Sequence, residues 1–388
     1  MRRHFISFLG QRRLPAHSET LALSIGNGII PGVTMRQQSS MHGPPGNIPP
    51  GLRGPPPQQQ HQVFQGQPQF HPQGQQFSQQ QHFFQQQQQQ QQQHQHQQQQ
   101  AMNGGSEEDF EPPKKPLEPP KLLKIDTNAR GITVIELSRA PVNSLNMELF
   151  EEFNSWMLWL GSDEACRSVI LTSSIPTVFS AGVDMNEMYN PQPERLRSFW
   201  KAFQEAWLIL NSFPKPIIAG ISGNSPAGGC TLALGCDSRV MARHPVGKPD
   251  RPYRIGLNET KLGIAAPPWV IPAYAYIVGS RNAERMLQLG ETPTADEALR
   301  IGLVDVVVED EQLLRDAAVK EAERFMAVPQ QARWMSRDML RREFLQFIAT
   351  EEDREYDTQF FVELMMNPEV QKGLDSYIAR LKGKTGKK

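Results

Sequence analysis

Between about residues 36 and 120 the chain consists mainly of Gln, Pro, His and Gly, with Gln85 to Gln93 uninterrupted, and this confines any fold to the residues C-terminal to it. The segment has scattered phenylalanines (Phe64, Phe70, Phe77, Phe83, Phe84) but no Ile or Leu run and one valine, Val63, so it has no material for a core. It reads as a disordered, solvated linker. That also explains a mean hydropathy of −0.51 in a chain long enough for one or two ordinary domains.

Ahead of the linker, residues 1–35 carry Arg2, Arg3, Arg12 and Arg13 among apolar residues, with no acid before Glu19, which resembles a mitochondrial transit segment. Forty Lys and Arg against 41 Asp and Glu leave no charge excess that would call for a nucleic-acid partner, so a small ligand is expected. The longest apolar stretch, Ile264 to Gly279, is interrupted by Pro267, Pro268 and Pro272, and no membrane span is expected. Cys166, Cys230 and Cys236 form no CxxC pair and read as reduced thiols.

Eight of the nine histidines fall at or before position 96. His244 alone belongs to the folded part, in a polar stretch, RHPVGKPDRPYR, that reads as a loop. Nucleophilic triads, HExxH zinc sites and imidazole proton shuttles all need histidine inside the fold, so base chemistry falls to a carboxylate and no metal site is expected. The GKT at 383–385 lacks the earlier glycine of a phosphate-binding loop.

Short β-branched runs at Ile132 to Leu137, Ser168 to Thr172, Pro216 to Ser222 and Leu303 to Val308 read as strands. Leu149, Phe153, Trp156, Met157 and Leu160, and then Leu196, Phe199, Phe203, Trp207 and Leu210, recur at helical spacing between them. The alternation predicts an α/β domain over 121–280. From 281 to 388 the pattern is helical, with a capping box at Thr294 and Glu297 and helices over 310–326, 329–344, 351–366 and 368–382. Apolar positions such as Phe360, Phe361, Leu364 and Met365 suggest a packing or oligomerisation layer there.

Two glycine-bearing loops, Phe179 to Asp184 and Ser225 to Cys230, each come after a strand and open a helix. Either alone also fits an ordinary strand-to-helix turn. Free amides at two such turns, if they converge, make an oxyanion hole. A third segment, IGLNETKLGI, sets Glu259 among Leu257, Leu262 and Ile264, neighbours that would raise a carboxyl pKa.

The strings APVNSLN, FSAGVDMNEM, SGNSPAGGCTLALGCD, IGLNETKLGIAAPPW and AERMLQLG, in this order, resemble the crotonase superfamily over about residues 121–385, and within it the mitochondrial Δ3,Δ2-enoyl-CoA isomerases. The resemblance implies a ClpP/crotonase-like ββα spiral core with a C-terminal helical oligomerisation layer. It implies an acyl-CoA thioester substrate, a homotrimer or dimer of trimers, a place in the mitochondrial matrix, and no cofactor beyond the coenzyme A of the substrate. Residue by residue, it implies Glu259 as the catalytic acid and base and the backbone amides of Val183 and Gly228 as the oxyanion hole. Val142, Asn143, Ser180, Ala181, Gly182, Asp184 and Gly229 fall in segments that line the acyl-CoA site. Hydratases of the superfamily carry a second glutamate where this chain has Thr231, so isomerisation is expected over hydration, and Glu187 is the one nearby acid that could substitute. A hydratase or another acyl-CoA activity of the superfamily is the alternative. A non-catalytic scaffold with a recruiting Gln-rich arm is the reading from a different class. The stretch from His244 to Arg254 looks longer than the usual connection, which leaves the approach to Glu259 open.

Overall fold

The computed structural model describes residues 113–385, with side chains described through residue 380. The expected transit segment over 1–35 and the Gln-rich linker up to residue 112 lie outside the described residues.

Five strands run parallel in one sheet because each crossover between them returns the chain to the same end of the sheet: β2 (Ile132–Leu137), β4 (Ser168–Ser173), β7 (Ile217–Ile221), β9 (Ser238–His244) and β11 (Val306–Asp310). An antiparallel strand, β1 (Leu123–Thr127), closes the edge beside β2, giving the order β1-β2-β4-β7-β9-β11. Both faces are covered, so β7 reads as an unbroken buried run instead of an alternating one. Helices α1 (Met147–Ser162) and α3 (Pro193–Ser212) belong to the larger core on one side, with Val169, Leu171, Ile217 and Ala219 pointing into it. The alternate residues Ile132, Ile170, Ile218 and Val240 form a second, smaller core with Leu314, Ala318 and Ala322 of α8 (Glu311–Met326). The period-two alternation of a strand thus feeds two separate cores.

Short strands complete the α/β part. β3 (Ser144–Leu145) pairs with β6 (Gly182–Val183), while β8 (Gly223–Pro226) lies between β5 (Thr177–Val178) and β10 (Ile255–Gly256). Between them come α2 (Met185–Met188) and α4 (Gly228–Gly235). The C-terminal part holds α5 (Ile271–Val278), α6 (Ser280–Leu289), α7 (Ala295–Arg300), α9 (Gln330–Leu345), α10 (Glu351–Met366) and α11 (Pro368–Thr385). The Thr294 and Glu297 capping box is present at the start of α7.

Three details differ from expectation. The division at 280 is not a structural boundary, since β11 and α8 belong to the sheet and its second core; the purely helical region begins at α9. His244 ends strand β9 instead of lying in a loop, because Asp310 of β11 supplies a strand partner that the local composition does not reveal. Phe361 and Met365 are turned into the chain's own core, whereas Phe360 is 54% exposed. Among the described residues no helix is long and apolar enough to cross a membrane.

Candidate active site

The two glycine loops meet because separate short strand pairs deliver them to one place. In the β3 and β6 pair the Asp184 amide donates to the Leu145 carbonyl at 2.9 Å, and Ala181 N donates to Val142 O at 2.9 Å. Successive amides alternate along a strand, so the Val183 amide faces away from β3. On that side lies Gly228: a Cβ there would stand 3.2 Å from Val183 N and 2.9 Å from Leu145 Cδ1, and a Cβ on Gly182 would stand 3.2 Å from Gly228 N. The close approach of two backbones, with both amides at the seam, is what requires glycine at 182 and 228. Ala227, immediately before, has φ 49° and ψ −123°, a conformation costing of order 1–3 kcal/mol for a residue with a Cβ. It is held there by its amide on Gly256 O (2.8 Å) and its carbonyl under Thr231 N (3.0 Å).

Four residues expected to line the site instead form the wall behind it. Asn143 is fully buried in a left-handed conformation at φ 48°, which asparagine tolerates. Its Nδ2 donates to Ser173 Oγ (2.8 Å) and Phe179 O (3.1 Å), and its carbonyl accepts from Ser180 Oγ (2.7 Å). Ser180 Oγ in turn accepts from Gly182 N at 3.1 Å. A Cβ on Gly229 would stand 2.7 Å from Ser180 O, so this glycine permits the packing of α4 on the first loop. Asn143, Ser180, Gly182 and Gly229 therefore shape the cavity without facing it.

The pairing of Ile255 and Gly256 in β10 with Ser225 and Pro226 in β8 carries the chain past the second loop and into a 3-10 turn over Glu259–Leu262. Gly263 closes the turn at φ 83°. From below, Thr260 Oγ1 donates to Leu287 O (3.0 Å), and Gly290, where a Cβ would come within 2.8 Å of Thr260 Oγ1, lets the end of α6 seat against the turn. The AERMLQLG string is the buttress of Glu259.

Glu259 faces a cavity of about 470 Å³ that is also lined by Val142, Ala181, Val183, Asp184, Gly228 and Thr231. It is 9% exposed and its Oε2 has no hydrogen-bond partner. Burial pushes its carboxyl up to about 7, against a smaller opposing effect of a backbone hydrogen bond. The other lining carboxylate, Asp184, is engaged: its oxygens take the Arg139 guanidinium at 2.7 Å, Ser144 Oγ at 3.2 Å and Asn186 N at 3.0 Å. Glu187 is not in the cavity wall; it is buried, paired to Arg195 at 2.7 Å, and accepts from Met147 N at 3.1 Å. Thr231 is in the wall, with its hydroxyl 3.4 Å from Ala227 O. His244 is elsewhere, its Nε2 3.0 Å from Glu309 and its pKa raised, first by the Pro245 carbonyl. No residue from 244 to 254 lines the cavity.

Sequence reasoning missed Asn258, whose Oδ1 is buried without a partner beside Glu259, and the aromatic part of the wall. Phe203 and Phe361 lie in helical stripes that spell burial but not a ligand-facing direction, Trp200 falls outside the stripe of α3, and Tyr377 comes from α11, far along the chain. Among the described residues no three His, Cys, Asp or Glu side chains converge as a metal-ligand group.

Residues 127–387 match the family described as enoyl-CoA hydratase/isomerase. The mouse protein named enoyl-CoA delta isomerase 1, mitochondrial, is 41% identical over 256 residues, covering 66% of this chain and 86% of its own. Its human counterpart of the same name is 40% identical over 265 residues, covering 68% and 84%. The crystal structure of human mitochondrial Δ3,Δ2-enoyl-CoA isomerase superposes with a TM-score of 0.64 at 38% identity, covering 68% of this chain and 99% of that one.

Proposed function

Because the chain belongs to the enoyl-CoA hydratase/isomerase family, we propose that it is an enoyl-CoA isomerase in which Glu259 alone moves the proton that shifts the double bond. The substrate is a 3-enoyl-CoA, cis or trans, and the product the 2-trans-enoyl-CoA of fatty acid oxidation. The ionised Glu259 takes a proton from C2, and the electron pair left behind spreads over the C3–C4 double bond and the thioester carbonyl as a dienolate. The amides of Val183 and Gly228 donate to the oxygen that gains charge. The same carboxyl, now protonated, returns the proton to C4, leaving the double bond between C2 and C3; nothing is consumed, and the coenzyme A needed is the substrate's own. A carboxyl held near 7 by burial suits both halves, being a base strong enough to take the proton and an acid strong enough to give it back.

The observation that carries this reading is the pairing of one buried, unpartnered carboxylate oxygen with Thr231 in the same wall. Adding water needs a second carboxylate to activate it, and Asp184 is tied to Arg139. Assayed on matched substrates, the protein is expected to isomerise 3-hexenoyl-CoA at least about a hundred times faster than it removes the enoyl absorbance of crotonyl-CoA. Comparable rates in the two assays would replace the isomerase by a hydratase.

Gly228→Ala gives a second check. The added Cβ lands between Leu145 Cδ1 and Val183 N, at the seam of the two amides. The expected result is a loss of about a hundred- to a thousand-fold in kcat, the size of a missing oxyanion donor. A loss below ten-fold would remove these amides from the mechanism.

The mitochondrial relatives and the arginine-bearing first residues support import into mitochondria, with the matrix as the site of action. Assembly as a homotrimer or a dimer of trimers fits the family resemblance.

A further inference from the structure

Resting on the isomerase reading, we infer that the stacked pair Trp200 and Phe361 is the floor of the acyl subsite and sets the longest acyl chain the protein accepts. If the reacting carbons lie against Glu259, the tail beyond C4 must run along the remaining wall of the cavity. At Ala181 and Ala265 that wall is open to solvent. The part that is both apolar and closed is mainly aromatic, with Met188 beside it: Trp200 is 4% exposed, Phe203 2%, Phe361 6% and Met188 4%.

This floor is braced against movement. The rings of Trp200 and Phe361 stack at 3.5 Å and 10°, and Phe203 meets Trp200 edge-on at 5.6 Å. One oxygen of the buried Asp357 accepts three hydrogen bonds, from Trp200 Nε1 (2.7 Å), Trp269 Nε1 (3.0 Å) and Gln204 Nε2 (2.8 Å). Asp357 and Phe361 are one turn apart on α10, so the same helix face anchors the indole nitrogen and covers the indole plane. An indole pinned at its nitrogen and capped on its face cannot swing aside for a longer tail, whereas an unbranched aliphatic wall would yield. Asp357 acts through Trp200 and is a positioning residue.

The experiment compares the full-length wild type with Phe361→Ala and Phe361→Leu on straight-chain 3-enoyl-CoAs from hexenoyl to hexadecenoyl, with dissociation constants for the matching saturated acyl-CoAs by calorimetry. In Phe361→Ala the ratio of kcat/KM for dodecenoyl over hexenoyl substrate should rise at least about ten-fold, at roughly four-fold per methylene newly accommodated. Phe361→Leu should show a smaller shift in the same direction, and it carries the test if the alanine variant does not fold. The dissociation constants should shift in parallel. A folded variant whose length profile and binding series match the wild type would overturn the inference. Wild-type protein that turns over no 3-enoyl-CoA but binds saturated chains with a length limit moved by these substitutions would retire the isomerase reading and leave the floor in place.

Discussion

Glu259→Gln should lower kcat on a 3-enoyl-CoA by about a hundred- to ten-thousand-fold, the range lost with a general acid–base group, and should make the folded protein more stable at pH 8. Both effects come from one fact, the burial that lifts the carboxyl to about 7. The ordinary value for this group is 4.5. Below that value the folded and unfolded chains both carry the proton. As pH rises from about 4.5 to 7 the unfolded chain loses it while the fold keeps it, so stability falls across this window and stays lower above it. The full difference corresponds to about 3 kcal/mol, an upper bound on what the neutral glutamine avoids at pH 8. Urea titrations at pH 5 and pH 8 should show the wild type losing stability relative to Glu259→Gln between the two. In kinetics the wild-type kcat/KM should rise with pH through about 7, because the free enzyme needs the ionised form to start the reaction. A glutamine variant that keeps most of its turnover, or a flat pH profile, would end the one-carboxylate mechanism.

The site was legible in the sequence wherever chemistry and backbone constraint coincide. Gly182 and Gly228 are glycines because two backbones touch, and Glu259 sits among Leu257, Leu262 and Ile264 because a usable base must be dry. The strand and helix periods placed β2, β4, β7 and the last four helices close to their observed ends. What stayed hidden depends on which surface an element meets. The stripe of α3 marks Phe203 as inward, but only the crossing of α10 shows that inward includes a cavity wall, which Trp200 shares. Asn143 and Ser180 sit in a loop motif that suggests ligand contact, and only the hydrogen bonds from Asn143 to Ser173 and Phe179 show that they support the wall. The pairing of β3 with β6 rests on two residues per strand, too short for any period. His244 shows the reverse error, a strand end concealed by the polar residues next to it.

The helix α9 offers the strongest case of a pattern whose meaning lies in its partner. Arg333, Arg337 and Arg341 repeat every four residues, which in isolation describes a solvated face. All three are turned inward onto Asp237, whose Oδ1 is 2.9 Å from Arg337 Nε and 3.9 Å from Arg341, and whose Oδ2 is 3.5 Å from Arg333. The same guanidiniums bind carbonyls at or just past the C-terminal ends of α3 and α4: Arg333 on Pro214 O (2.8 Å), Arg337 on Phe213 O (2.6 Å), and Arg341 on Gly235 O and Cys236 O (2.8 Å each). Carbonyls left unpaired at helix ends carry partial negative charge and suit this role. Burial, and next the charge of Arg337, push Arg341 down to about 9, with Asp237 opposing. Asp237→Ala removes the one carboxylate these cations share, and also the acceptor of Ile217 N at 2.8 Å. The expected cost is about 3–5 kcal/mol, as for a buried pair broken on one side, with α9 the first segment opened to proteolysis. Asp237→Asn keeps an acceptor for Ile217 and loses only the charge, so it should fall between wild type and alanine. Combining it with Arg337→Met should recover part of the loss, since one buried cation then goes with the anion. Urea unfolding of these four proteins and of Arg337→Met alone closes the cycle and measures the coupling directly. An alanine variant within about 1 kcal/mol of wild type would mean that the carbonyls of α3 and α4, and not Asp237, hold α9 in place.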